Sequence, residues 1–304
     1  MEDKTKLIER IKELKEKKKA VILAHNYQIP EIQDLSDFVG DSLELARVSK
    51  DLEQNLVVFC GVRFMAETTK ILSPEKKVLL PSDTAGCPLA EMIKEKDVLF
   101  LKEKYPDAWV VSYVNSSAKV KALSDVCCTS ANAVKVVKNI PAKRVIFVPD
   151  KNLGWWVKKN VPDKEIILTE GYCYVHQGFS LEDLERAKTL YPDAEVLVHP
   201  EAPPEVLEKA DFVLSTSGML ERAKHSLSNK FIIGTEEGLI YRLKKENPYK
   251  EFYSLGIPRI CQDMKKTTLK NLFDSLENEI FEITLKKETI NKAKRALERM
   301  LEYI

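Results

Sequence analysis

Short runs of β-branched and other apolar residues alternate along the chain with longer segments in which apolar residues recur at helical spacing. The short runs predict strands, and the longer segments predict helices. Their alternation is typical of βαβ units, which build parallel sheets flanked by helices. The pattern therefore predicts an α/β protein with strands at 21–24, 56–59, 77–80, 109–114, 125–129, 145–148, 165–168, 195–198, 212–215, 231–234 and 252–255.

The same pattern predicts the helices. Segment 1–19 reads as an amphipathic helix, with Leu7, Ile11 and Leu14 on one face. Further helices are predicted at 30–38, 42–52, 88–105, 180–191, 268–276 and 290–303. No low-complexity segment or long Pro/Gly linker interrupts the chain, so we expect its parts to pack tightly against each other.

Two repeated features divide the chain into three parts. Cys87, Cys173 and Cys261 follow one another at intervals of 86 and 88 residues. The tetrapeptide Tyr-Pro-Asp-Ala at 105–108 recurs at 191–194, again 86 residues later. A shared register of this kind indicates one structural unit used three times. We expect αβα units at 1–88, 89–174 and 175–261, with the C-terminal helices of 262–304 packing on the first.

Composition limits the classes of partner. The 304 residues carry 48 basic and 47 acidic side chains, a net charge of +1, which gives no reason to expect nucleic acid or a membrane surface. No apolar run is long enough for a membrane span, and segment 1–19 lacks the apolar stretch of a signal peptide. In such a chain six cysteines are expected to be reduced thiols, some of them metal ligands, in a cytoplasmic protein.

The three regularly spaced cysteines are the candidate metal ligands. Each lies in a loop after a predicted strand, and three thiolates leave one coordination position free for chemistry. Structural zinc sites usually gather four ligands from close CxxC pairs, and the sequence has no CxxC. A cubane iron–sulfur cluster with one open iron is therefore favoured, with zinc left as an alternative. Cys60, Cys127 and Cys128 fall on predicted strands and are expected in the core.

Polar side chains follow the first strand of each unit. His25 and Tyr27 end the first such strand, Tyr113 and Asn115 the second, and His199 and Glu201 the third. In parallel α/β sheets ligands bind beyond the carboxyl ends of the strands, so these residues are candidates for substrate contact. The imidazole and carboxylate of His199 and Glu201, two residues apart, suit acid–base catalysis.

Hydroxyl-bearing turns supply a further set of candidates. Ser130 in the second unit, and Ser215 with Thr216 in the third, lie in small turns that open helical patterns, and Ser42 opens a helix in the first unit. Such turns combine an N-cap with free backbone N–H groups. They suit a carboxylate or a phosphate.

Taken together these motifs resemble those of the quinolinate synthase (NadA) family over essentially the whole chain. The segments that carry the resemblance, besides the three cysteines, are Ala24-His25-Asn26-Tyr27-Gln28, Gly40-Asp41-Ser42, Phe64-Met65-Ala66-Glu67, Tyr113-Val114-Asn115-Ser116, Thr129-Ser130-Ala131-Asn132-Ala133, Pro149-Asp150-Lys151-Asn152-Leu153, His199-Pro200-Glu201 and Ser215-Thr216-Ser217-Gly218-Met219.

The resemblance implies a fold, a cofactor and a reaction. The fold would be three similar αβα domains around a pseudo-threefold axis, with a [4Fe-4S] cluster on Cys87, Cys173 and Cys261 where they meet. The reaction would condense iminoaspartate with dihydroxyacetone phosphate to quinolinate, a step of NAD biosynthesis, losing phosphate and water. A functional link to an enzyme that produces iminoaspartate would follow.

The resemblance also implies roles for side chains. Catalysis would fall to Tyr27, Tyr113, His199 and Glu201. Substrate binding would involve His25, Ser42, Tyr113, Asn115, Ser130, His199, Glu201, Ser215 and Thr216. Three other functions stay open at this point: an aconitase-like hydro-lyase, an electron carrier and a zinc-stabilised binding protein.

Overall fold

The computed structural model describes residues 4–303 and contains three four-stranded parallel sheets. The strands are β1 (Ala20–His25), β2 (Phe38–Gly40), β3 (Leu56–Cys60), β4 (Lys77–Leu79), β5 (Trp109–Tyr113), β6 (Val126–Cys128), β7 (Arg144–Val148), β8 (Glu165–Leu168), β9 (Glu195–Val198), β10 (Phe212–Val213), β11 (Lys230–Gly234) and β12 (Glu251–Ser254). The sheet orders are β2-β1-β3-β4, β6-β5-β7-β8 and β10-β9-β11-β12. The same order in every sheet confirms the predicted α/β fold of three similar αβα units.

Helices connect and cover the strands. They are α1 (Lys4–Lys18), α2 (Pro30–Leu35), α3 (Ser42–Asp51), α4 (Arg63–Leu72), α5 (Pro88–Glu91), α6 (Glu95–Lys104), α7 (Ala118–Lys121), α8 (Ala133–Asn139), α9 (Lys151–Asn160), α10 (Tyr174–Gln177), α11 (Leu181–Leu190), α12 (Pro204–Leu207), α13 (Thr216–His225), α14 (Gly238–Glu246), α15 (Leu269–Asn278) and α16 (Lys287–Glu302). Because helices cover the sheets, every residue of β1 and β3 is buried.

One hydrogen-bonding device recurs in all three units. The carboxylates of Asp37, Asp125 and Asp211 each accept the backbone N–H of a residue 15 positions earlier, in β1, β5 or β9, at 2.8 Å. Each aspartate's own N–H donates to the carbonyl of that same residue. The pair of bonds joins the amino end of the first strand of each sheet to the start of its neighbour, which supports the repeat seen in the cysteine spacing.

The structure corrects two predicted helices. Segment 30–38 is not one helix, because α2 ends at Leu35 and Phe38–Gly40 forms the edge strand β2, which follows the Asp37 contact with Ile22. Segment 88–105 is also interrupted, because Lys94 is extended and its N–H donates to Asp97 Oδ2 at 2.9 Å, so that a new helix begins at Glu95. The predicted strand 212–215 ends at Val213, since Ser215 caps α13.

The C-terminal helices lie on two sheets. Helix α15 packs on α1 and β3, whereas α16 packs on α4 of the first sheet's helices and on α7 and β6 of the second. The predicted unit boundaries remain predictions. No helix within residues 4–303 combines the length and apolar character needed to span a membrane. Residues 1–3, part of the predicted N-terminal helix, lie outside the described residues.

Candidate functional site

The carboxyl ends of the three sheets meet at one pocket. Twelve of the thirteen predicted site residues line it: His25, Tyr27, Ser42, Cys87, Tyr113, Asn115, Ser130, Cys173, His199, Glu201, Thr216 and Cys261. Ser215 is the exception, because its hydroxyl accepts the Gly218 N–H at 3.2 Å and caps α13 beside a neighbouring groove. Its role in substrate binding remains a prediction, as do the roles of the other twelve.

The first strands of the three sheets deliver side chains to equivalent places. His25, Tyr113 and His199 follow one another at intervals of 88 and 86 residues, and Tyr27, Asn115 and Glu201 lie two residues beyond them. The Tyr27 N–H donates to His25 Nδ1 at 3.2 Å, and the Glu201 N–H faces His199 Nδ1 at 3.4 Å. The first and third units thus share this turn, while the side chains at the equivalent places differ among all three units.

His176 is the residue at the centre of this site that the sequence reasoning did not single out. Its Nδ1 lies 2.9 Å from Glu201 Oε2 and 3.3 Å from Cys173 Sγ. Its Nε2 lies 2.9 Å from Thr235 Oγ1, which in turn contacts the Tyr27 hydroxyl at 2.6 Å. The only available signal was its place three residues after Cys173, one turn along α10.

Glu201 is held between two imidazoles. Its Oε2 lies 3.3 Å from His199 Nδ1 as well as 2.9 Å from His176, and the two rings stack with centroids 4.5 Å apart. Its Oε1 accepts a bond of 3.4 Å from Asn115 Nδ2. Burial alone would raise the pKa of Glu201, but electrostatic attraction to His176 and hydrogen bonds from His176 and His199 outweigh it and lower that pKa. The carboxylate therefore stays ionised at neutral pH.

Burial sets the protonation of the other titratable groups. It lowers the pKa of His25 to about 4, and together with the nearby His176 it lowers the pKa of His199. Burial, with Glu201 nearby, raises the pKa of both Tyr27 and Tyr113. At neutral pH the site thus offers two neutral imidazoles and two protonated phenols near the Glu201 carboxylate.

Several backbone N–H groups at the amino ends of the helices beside the pocket are already hydrogen-bonded, whereas the sequence predicted that they would be free. The Asp41 carboxylate caps α3 by accepting hydrogen bonds from the N–H groups of Leu43 and Glu44. The Ser215 hydroxyl accepts the N–H of Gly218. Those amides are therefore not available to a ligand. The hydroxyl groups of Ser42, Ser130 and Thr216 remain as pocket-lining donors, and Thr216 Oγ1 also accepts from Asn26 at 2.9 Å.

The cysteines separate into two classes, as predicted. Cys87, Cys173 and Cys261 are half-buried, each follows the last strand of one sheet, and all three line the pocket. Cys60, Cys127 and Cys128 are fully buried on β3 and β6. Only the first class is placed to bind a shared group.

The three pocket thiols are not spaced to share one metal ion. Among residues 4–303, the set of three ligand atoms that lie within 4.8 Å of one another is that of Cys173, His176 and Glu201, not the three thiols. Sulfurs around one tetrahedral zinc lie about 3.8 Å apart, given a Zn–S bond of about 2.3 Å. The ligand atoms of Cys173, His176 and Glu201 lie close together because His176 Nδ1 contacts both Cys173 Sγ and Glu201 Oε2.

Known proteins resemble this chain over nearly its full length. The NadA family model, described as Quinolinate synthetase A protein, matches residues 9–302. The chain is 54% identical over 300 residues to a quinolinate synthase of Caldicellulosiruptor saccharolyticus, covering 99% of each. It is 51% identical over 297 residues to that of Pyrococcus abyssi, covering 97% of this chain and 99% of the relative. For Aquifex aeolicus the identity is 50% over 306 residues, with 99% and 95% covered. The chain belongs to the quinolinate synthase (NadA) family.

Proposed function

We propose that this chain condenses iminoaspartate with dihydroxyacetone phosphate to form quinolinate for NAD biosynthesis, with loss of phosphate and water. The observation that carries the proposal is the single pocket that joins three thiols, one from each sheet, to Glu201 and its two imidazoles. The free cysteines support the cytoplasm as its compartment. Since imines hydrolyse in water, an enzyme that releases iminoaspartate close by is the functional partner we propose.

We assign Cys87, Cys173 and Cys261 as the ligands of a [4Fe-4S] cluster. Their shared pocket supports this assignment, and their absence from the compact ligand sets of residues 4–303 argues against a single ion held by all three thiols. When bound, such a cluster supplies an iron with a free coordination position, a Lewis acid for a substrate oxygen or nitrogen. The proposal gives no role in the site to Cys60, Cys127 and Cys128.

Substrate anchoring falls to hydrogen-bond donors on the pocket wall. Iminoaspartate carries two carboxylates and the second substrate carries a phosphate, so both need several donors. We assign Ser42, Ser130 and Thr216 to these anionic groups, since all three line the pocket. His25 and Asn115 complete the wall, and the Asn115 amide is oriented by its bond to Glu201.

Proton transfers fall to the groups around Glu201. Neutral His199 can accept a proton, and the adjacent ionised Glu201 stabilises the imidazolium that results. The Tyr27 hydroxyl reaches His176 through Thr235, which forms a continuous hydrogen-bonded path. Tyr113, protonated and buried, is a donor for a developing oxyanion or imine nitrogen. These roles match a reaction that forms a carbon–carbon bond through an enamine and then loses water.

The test is product formation by anaerobically reconstituted protein. With iminoaspartate generated in the assay and dihydroxyacetone phosphate added, we expect quinolinate, identified by mass. Omitting dihydroxyacetone phosphate should abolish it. Absence of quinolinate from protein that carries its full complement of iron and sulfide would reject the proposal. Dehydration of a hydroxy acid without the phosphate substrate would instead favour an aconitase-like hydro-lyase.

A further inference from the structure

The three pocket cysteines are tied to the fold by one shared backbone contact. The residue two positions before each cysteine offers its carbonyl to an N–H at the start of the helix that follows the third strand of the sheet. The three bonds are Arg63 N–H to Ala85 O at 2.9 Å, Lys151 N–H to Gly171 O at 2.7 Å and Glu237 N–H to Arg259 O at 3.0 Å. Donors and acceptors keep the intervals of the repeat, so this contact belongs to the scaffold.

A second contact is present in only two of the three units. The Cys173 N–H donates to Asp150 Oδ2 at 3.2 Å, and the Cys261 N–H donates to Glu236 Oε1 at 3.0 Å. Asp150 and Glu236 directly precede the backbone donors Lys151 and Glu237, and both are fully buried. In the first unit the corresponding residue is Val62, whose side chain has no acceptor for the Cys87 N–H.

Both carboxylates use both oxygens as acceptors. Asp150 Oδ1 accepts the Leu153 N–H at 2.7 Å. Glu236 Oε2 accepts the Gly238 N–H at 2.7 Å, and its Oε1 also pairs with Lys265 Nζ at 2.9 Å. Each carboxylate therefore bridges a cysteine loop and a helix start. An amide in its place has one oxygen, so its NH₂ must face one of the two N–H groups.

We propose that Asp150 and Glu236 are positioning residues that hold Cys173 and Cys261 in the ligand conformation before the cluster binds, whereas Cys87 is the ligand that adjusts to it. This inference rests on the proposed cluster. Its physical basis is that the cysteine N–H groups and the loop backbone are fixed by folding, so that cluster binding does not have to order them. Groups that orient metal ligands in this way typically change metal affinity by about 10- to 100-fold when removed.

Isosteric variants test the two carboxylates. Asp150→Asn and Glu236→Gln should lose the cluster to an anaerobic iron chelator about 10- to 100-fold faster than the parent, followed by the decay of visible absorbance. The matched control is Asp125→Asn, which weakens the same kind of carboxylate-to-backbone bond at the opposite end of a sheet from the three pocket cysteines and should match the parent rate. Thermal unfolding of the cluster-free variants separates loop positioning from general destabilisation.

A measurement on the parent protein keeps the inference testable if the variants fold poorly. Hydrogen exchange of cluster-free protein should show the amides of Cys173 and Cys261 protected already, with the Cys87 amide gaining protection only on reconstitution. Equal loss rates for parent, Asp150→Asn and Glu236→Gln, or unprotected Cys173 and Cys261 amides, would overturn the inference. A parent that binds no iron–sulfur cluster at all would instead reject the proposed cofactor.

Discussion

The amino ends of the three sheets are alike in all three units, whereas the carboxyl ends differ. At the amino ends, Asp37, Asp125 and Asp211 make the same hydrogen bonds in every unit. At the carboxyl ends, the equivalent positions hold Tyr27, Asn115 and Glu201, three side chains of different chemistry. The repeated fold thus sets the positions of these side chains. Their chemical identities differ between units only at the carboxyl ends, where the pocket lies.

The largest effect is expected at the cysteines of the carboxyl ends. Cys87→Ala, Cys173→Ala and Cys261→Ala should each abolish the visible absorption of the reconstituted protein, because three thiolates are the minimum that holds the cluster with one open iron. Iron and sulfide assays on the anaerobic protein check this. Cys60→Ala is the control and should keep the colour, since Cys60 is buried on β3 away from the pocket. Retained colour in any of the first three would remove that cysteine from the ligand set.

Glu201→Gln should leave the cluster intact and lower kcat by about 10²- to 10⁴-fold. The amide removes the charge that orients His176 and stabilises a protonated His199. Steady-state kinetics with parallel iron analysis measures both quantities. Glu182→Gln, on the exposed pair with Arg186, is the matched control and should be neutral. A normal rate for Glu201→Gln would exclude Glu201 from the mechanism.

The sequence predicted which side chains line the pocket more successfully than it predicted the contacts between them. Regular cysteine spacing and polar residues after β-branched runs were sufficient to select His25, Tyr113 and Glu201. His176 was not selected, because its contact with Glu201 joins residues 25 apart whose meeting depends on how two sheets pack. The edge strand β2 was also missed, since its three residues carry too weak a pattern and it is defined by pairing with β1.

The protonation of His25 should make stability depend on pH. Its pKa falls from 6.5 to about 4 on folding because of burial, so between these values the unfolded chain binds more protons. Stability should therefore be complete above about pH 6.5 and decline towards pH 4, by about 3 kcal/mol at most from this group. Denaturant unfolding of cluster-free protein should show a shallower decline for His25→Asn. His225→Asn, altered at an exposed histidine, should follow the parent curve.

The smallest effect is expected at the amino ends. Asp125→Asn should lower the free energy of unfolding by about 1–2 kcal/mol, the cost of weakening a bond to the N–H of Val110 in β5. Because this end is remote from the pocket, KM and kcat should not change. Thermal melting and steady-state kinetics on the same preparation compare the two ends directly. A loss of activity larger than the loss of folded protein would mean that the ends are coupled.

The most direct test of the proposed cluster is Mössbauer spectroscopy of ⁵⁷Fe-loaded protein prepared without oxygen, with and without a dicarboxylate ligand. We expect about four irons and four sulfides per chain, with the signal of one iron in four changing when the dicarboxylate is added. Zinc in place of iron, or four irons that all ignore the ligand, would contradict the claim that three thiols hold a cluster with one position open to substrate.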